Sequence, residues 1–346
     1  MTVGGDILFR VEGALGRVHL NVPSSFNSLT REMCIAFRNQ LVSWRDDPKV
    51  AAVLVTAEGD RAFCAGGDIR RLYDIGRSDP IEGRTFFWHE YRLDYAVHEF
   101  PKPYVTLVDG IVMGGGVGIS VHGSHRIVTE KTTFAMPECG IGLFPDVGAT
   151  EFLDRAPGAL GMYLGLTGAR LKAADAILAG FATHFVPNSL LEELTAGLAA
   201  NVDKIDTYIS GFAKDPGNAP LDEHRHLIDR HFSAGSVSDI IAGLDAEDGY
   251  WAIETADELR NKSPTSLSVT HRQLGMGGSP KFDAVMRTEY RMACAFLEGV
   301  DFFEGIRAAV IDKDRDPKWA PARLDDVDEG MTASYFSLVT PELDLD

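Results

Sequence analysis

Residues 136–148 read MPECGIGLFPDVG, an apolar, glycine-rich stretch that carries two acids, Glu138 and Asp146, and no Lys or Arg. Carboxylates in such surroundings have two uses. They cap turns through their oxygens, or they do chemistry in a site poor in water. Beside a polarised carbonyl, a carboxylate acts as nucleophile or as general base for a water. A second acid in the same dry pocket raises the proton affinity of the pair.

Two glycine clusters offer the complementary part. "VLVTAEGDRAFCAGGDI" holds Gly66 and Gly67, and "YVTLVDGIVMGGGVGIS" holds Gly114, Gly115 and Gly116. Each follows a buried-strand pattern and leads into a helix. Glycine lets the backbone approach a ligand closely, and a helix start points free N–H groups at an anion or a developing oxyanion. Tight strand–helix packing uses glycine in the same way. Other motifs fail. A dinucleotide GxGxxG from Gly114 or Gly116 would need glycine where Ile119 or Val121 stands. A nucleophile elbow through Ser120 would need glycine at His122, and there is no GxxxxGK[ST]. His224, His226 and His231 lack the spacing of a helical metal site and are expected to be surface polar residues. His122 and His125 suit the end of a helix.

The elements that must position these groups alternate in type. "DILFRVEG" and "GRVHLNVP" predict a strand pair joined by a glycine turn. "TREMCIAFRNQLVSWRDD" predicts a helix with Thr30 as N-cap and Glu32 in its first turn. "VAAVLVTAEG" and "PYVTLVDG" are continuous apolar runs, as in strands buried on both faces. "RAFCAGGDIRRL" is a glycine turn leading to a helix, and "TFFWHEYRLDYAVHEF" an amphipathic helix that stops before Pro101. "SHRIVTE" and "TTFAM" are further short strands. This order gives an α/β class. From about residue 200 the strand pattern fades and helical patterns take over. "FAKDPGNAP" (212–220) is the best linker candidate, but it is short. One domain over residues 6–340 is therefore expected, with an α/β core at 6–200 and a mostly helical part at 201–340.

At 346 residues and 45% hydrophobic content, the chain can build a sizeable core. Its formal charge of −18 argues against a general nucleic-acid or anionic-membrane surface. A local basic rim could still hold an anionic small molecule. No window approaches the roughly 18 apolar residues of a membrane span, and the N-terminal residues match neither a signal nor a transit peptide. A cytoplasmic location is expected. Cys34, Cys64, Cys139 and Cys294 form no CxxC and are expected to be buried thiols.

Taken together, "AFCAGGDIR", "KPYVTLVDGIVMGGGVGISVHG", "FAMPECGIGLFPDVGAT", "LTGARLKAADAILAGFATHFV", "KSPTSLSVTHRQL" and "EYRMACAFLEGVDFFEGIRAAVIDKDRDPKW" resemble the enoyl-CoA hydratase/isomerase (crotonase) superfamily. Within it, they look most like the branch that hydrolyses 3-hydroxyisobutyryl-CoA in valine catabolism. The resemblance implies a spiral of ββα turns with a helical C-terminal region. It implies an oxyanion hole of two backbone N–H groups, at Gly67 and Gly115, gripping the thioester carbonyl of an acyl-CoA. It implies no cofactor, coenzyme A being part of the substrate, and it allows a homo-oligomer without requiring one, since the C-terminal extension could block or replace the contact. Hydratases of this superfamily use two glutamates. One stands three residues after the oxyanion glycine, where this chain has Gly118; the other follows a proline, where it has Glu138. The hydrolases pair the latter with the aspartate of "GLFPDVG", here Asp146. Glu90 matches an acid of the family's substrate pocket, although by itself it reads equally as an exposed helical residue. The resemblance thus implies thioester hydrolysis by Glu138 and Asp146. An enoyl-CoA hydratase or isomerase is the nearest alternative, and a non-catalytic acyl-CoA-binding protein a third.

Overall fold

The computed structural model describes residues 5–276 and 280–345. Strands β1 (Ile7–Glu12) and β2 (Leu15–Leu20) form an antiparallel hairpin that pairs Ile7 with Leu20 and Glu12 with Leu15. Thr30 then accepts a hydrogen bond from the Met33 N–H at 3.2 Å and starts helix α1 (Arg31–Arg45). One stripe of α1, Met33, Phe37, Leu41 and Trp44, is buried, the spacing that a helix face requires.

From here the chain repeats one order: a strand in a large sheet, a strand in a small sheet, then helix. Strand β3 (Ala52–Ala57) is followed by β4 (Ala62–Cys64) and helices α2 (Ile69–Ser78) and α3 (Pro80–His98). Next, β5 (Tyr104–Val108) is followed by β6 (Ile111–Met113) and α4 (Gly115–Val121). In the third round, β7 (His125–Val128) is followed by β8 (Thr133–Ala135) and a 3₁₀ turn, Glu138–Ile141. The large sheet runs β1-β2-β3-β5-β7-β9, with β9 (His184–Phe185) at its edge, and the small one β4-β6-β8. Beyond the first hairpin, the large-sheet neighbours are all parallel. This is the expected α/β spiral of ββα turns. After β9 the described residues form helices and loops only.

The elements fall into two compact units. The first comprises the chain up to Gly67, His89–Phe134 and Arg170–Asp222. Its core joins Leu54, Val105 and Ile127 of the large sheet to Leu194, Leu198 and Ile209 of the helices that follow β9. The second comprises Asp68–Trp88, Ala135–Ala169 and the chain from Glu223 onward. The linker candidate at 212–220 is tied down, its Lys214 N–H donating to the Phe185 carbonyl at 2.9 Å. The last of the passages from the first unit to the second comes just after it, between Asp222 and Glu223.

Candidate active site

Gly67, Gly115 and Glu90 lie in the first unit. The two glycine turns are in contact there. Gly66 has φ +102°, and a Cβ at that position would stand 3.1 Å from the Met113 carbonyl oxygen and 3.4 Å from the Gly115 nitrogen. The turn thus needs glycine for its conformation and for the close approach. The Gly66 carbonyl accepts the Leu29 N–H at 2.8 Å, and Gly67 is bridged to Leu29 in parallel pairing. Gly115 is the first residue of α4, so no carbonyl one turn back within the helix receives its N–H. A Cβ on Gly116 would meet the Cys64 carbonyl oxygen at 2.3 Å, which is how closely α4 sits on the end of β4.

Glu90 is not an exposed helical residue. It projects from α3, is 3% exposed, and its Oε1 lies 2.1 Å from where a Gly115 Cβ would be. A buried carboxyl therefore rests against the first residue of α4.

Glu138 and Asp146 lie in the second unit, each 4% exposed. Glu138 opens the 3₁₀ turn after Pro137. A capping carboxylate turns its oxygens towards backbone N–H groups, but Oε2 of Glu138 is buried without any hydrogen-bond partner. Burial first, and then the charge of Asp146, push the Glu138 carboxyl well above the usual carboxylate range. Asp146 precedes an unusual backbone. Val147 has φ 54°, left-handed for a β-branched residue, and Gly148 follows at φ 87°. Holding a valine in that region costs about 1–3 kcal/mol and requires support from its surroundings. The neighbouring Cys139 is buried, and burial pushes its thiol up to about 12, so it stays a protonated packing group.

The basic residues nearest the motifs have structural partners. The Lys102 ammonium donates to the carbonyls of Trp44, Asp47 and Val50 at 2.6, 2.7 and 2.6 Å, closing the end of α1. Arg70 donates to the Val310 carbonyl, and Arg61 lies 4.4 Å above the Phe26 ring. Of the histidine cluster, His226 is exposed as expected, whereas His231 is buried and bonded to Glu247 at 3.0 Å, and His224 stacks on Trp251. His125 is a strand residue bonded to Asp206 at 2.7 Å and to Ser124 at 2.9 Å, not a helix end. All four cysteines are free and buried. Among the described residues, no three His, Cys, Asp or Glu side chains stand together as a metal-binding group.

A family model described as enoyl-CoA hydratase/isomerase matches residues 15–336. The 3-hydroxyisobutyryl-CoA hydrolase, mitochondrial, of Danio rerio is 42% identical over 96% of this chain and 90% of its own length. The protein of that name from Homo sapiens is 42% identical over 96% and 88%. A crystal structure of a carnitinyl-CoA dehydratase from Mycobacterium thermoresistibile superposes with a TM-score of 0.92, at 44% identity over 99% of both chains. That of an enoyl-CoA hydratase from Rhodobacter sphaeroides gives 0.90, at 41% identity over 98% of this chain and 99% of that one. The mitochondrial naming of these relatives overturns the expected cytoplasmic location. Acidic composition and buried thiols suit any reducing aqueous compartment, so they could not discriminate between the two.

Proposed function

Because this chain belongs to the enoyl-CoA hydratase/isomerase family, we propose that it hydrolyses an acyl-CoA thioester, 3-hydroxyisobutyryl-CoA, to 3-hydroxyisobutyrate and coenzyme A in valine catabolism. The observation that carries the reading is the buried pair Glu138 and Asp146, one oxygen of which has no partner in the fold. The family match runs without a break through segments of both units.

In this reading the thioester oxygen accepts hydrogen bonds from the N–H groups of Gly67 and Gly115, which polarise the carbonyl. Glu138, ionised, either takes a proton from an attacking water or itself attacks to give an anhydride that water then opens. In the first route the C–S bond breaks as the water adduct collapses; in the second it breaks as the anhydride forms, before water opens it. In both, the proton released from water balances the departing thiolate as free thiol. Asp146 holds the substrate hydroxyl and raises the basicity of Glu138. Backbone donors suit their task because they are fixed before charge develops.

The names of the structural neighbours favour a second reading, hydration of an enoyl thioester. Against it stands Gly118, buried within α4 and without any side chain where the hydratases carry a carboxylate. One assay separates the readings. Pure protein given 3-hydroxyisobutyryl-CoA is expected to release free thiol. Loss of enoyl-thioester absorbance without thiol release would establish the hydratase instead, and saturable binding without turnover the non-catalytic protein.

The raised proton affinity of Glu138 sets the pH dependence. The group must be ionised to act, so kcat/KM for thiol release is expected to rise with pH along an acid limb centred above the ordinary glutamate value of about 4.3. Asp146→Asn removes the neighbouring charge and should move that limb to lower pH, with turnover lowered by about 10²–10⁴-fold if Asp146 also takes part in proton transfer. A pH–rate profile of both proteins checks this; an unmoved limb would dissociate the two carboxyls.

A further inference from the structure

Asp146 and Val147 stand between two fastened points. On one side, the Pro145 carbonyl accepts a hydrogen bond from Gln273 Nε2 at 2.8 Å. On the other, the Gly148 N–H donates to Glu289 Oε2 at 2.7 Å, and the Thr150 N–H and hydroxyl donate to Glu289 Oε1 at 3.0 and 2.8 Å. The two fastenings are themselves joined, since Gln273 Nε2 also donates to the Thr150 hydroxyl oxygen at 2.9 Å. Gln273 comes from the helix Pro264–Gly275 and Glu289 from the helix Phe282–Glu298; they are 1% and 0% exposed.

We propose that Glu289 and Gln273 are positioning residues that hold the 145–150 turn in its left-handed form, and so keep the Asp146 carboxyl aimed for the reaction. The proposal rests on the reading of Asp146 as a member of the catalytic pair. Val147, at φ 54°, is a β-branched residue in a conformation it disfavours by itself. Released from either side, the turn relaxes towards negative φ, and the residue that swings is Asp146. Helix capping alone would be a small return for so costly a group, because the helix it meets, α5 (Ala149–Phe152), is a single turn. Burial pushes the Glu289 carboxyl up to about 8, and the charge of Asp146 acts in the same direction. A carboxyl is kept in this unfavourable place by the donors of the turn.

The test is Glu289→Gln. Its amide nitrogen must face one of the N–H donors, which opens that fastening. The variant is expected to lose about 10²-fold in kcat, the usual cost of a displacement of roughly 1 Å at a reacting group. Its KM should rise as well, because Asp146 also holds the substrate hydroxyl, and the loss on the chemical step is read from kcat. Hydrogen exchange of residues 144–152 should rise. Adding Val147→Gly then separates positioning from mere support. Glycine adopts φ 54° unaided, so the double variant should regain about tenfold in kcat while melting lower, because the side chain removed is fully buried. A purely structural role predicts a double variant worse in both respects, and that result would overturn the proposal, as would wild-type kcat in Glu289→Gln. If Glu289→Gln does not fold, Gln273→Leu, which frees the Pro145 side, carries the same expectations. Wild-type protein that releases no thiol would instead overturn the hydrolase reading, and unchanged exchange of 144–152 in the variants would still overturn the clamp.

Discussion

Glu138→Gln is expected to lower kcat for thiol release by about 10²–10⁴-fold, the range for removal of a group that transfers a proton in the transition state. Glutamine matches glutamate in size and supplies neither a base nor an effective nucleophile, so packing survives while the chemistry is lost. The same substitution should raise stability near neutral pH. The sign follows from burial, which holds the Glu138 carboxyl above its unfolded value. Between those two values the unfolded chain has already released the proton that the folded chain retains. Folded protein therefore binds more protons, and stability falls as pH rises through that window. Below it, both states are protonated and the effect vanishes. Melting curves at about pH 4 and pH 8 should thus coincide more closely for Glu138→Gln than for the wild type. A variant that turns over like the wild type removes Glu138 from the reaction; one that merely unfolds would show that the carboxylate serves the fold. Opposed effects on activity and stability are what a functional site in an otherwise relaxed structure should display.

The sequence made the long elements legible, for reasons visible in their residues. Helix α1 has a capping threonine and a clean apolar stripe, and β3 and β5 are apolar runs of strand length. Strands β4 and β6 were not separable from the glycine turns they adjoin, because three residues give no period to read. The place of Glu90 was equally hidden. It shares the buried side of its helix with Phe87, Tyr91 and Val97, but its approach to Gly115 brings together residues of different elements and has no local signature. The same applies to Glu289 and Gln273. Each stands in a helical pattern more than 120 positions from the turn it holds, as their separations of 141 and 128 from Gly148 and Pro145 show. An acid flanked by the apolar positions of "FDAVMRTEYRMACAFLE" was the one available sign. Lys102 taught the converse lesson. Position beside a motif assigns it no phosphate, and three backbone carbonyls hold it.

Gly115→Ala tests the other half of the reading, the backbone donors. A methyl group there would sit 2.1 Å from Glu90 Oε1, 3.2 Å from its Cδ and 3.3 Å from Leu29 Cδ1. Glu90 is 3% exposed and Leu29 0%, so neither neighbour has free solvent into which it can withdraw. Either the Glu90 carboxyl turns aside or the first turn of α4 shifts, and such a shift carries the Gly115 N–H with it. Displacing one oxyanion donor is expected to lower kcat by about 10²–10³-fold, equivalent to about 2.7–4 kcal/mol of transition-state stabilisation. The loss should fall on kcat rather than KM, because the hydrogen bond strengthens only as the oxygen gains charge. Overpacking should also lower the melting temperature, by an amount corresponding to about 1–3 kcal/mol. Measuring both keeps the explanations apart. A variant that melts lower but retains wild-type kcat would mean that the glycine triplet exists for packing alone. A folded variant with impaired kcat and intact acyl-CoA binding would place the Gly115 amide in the chemistry.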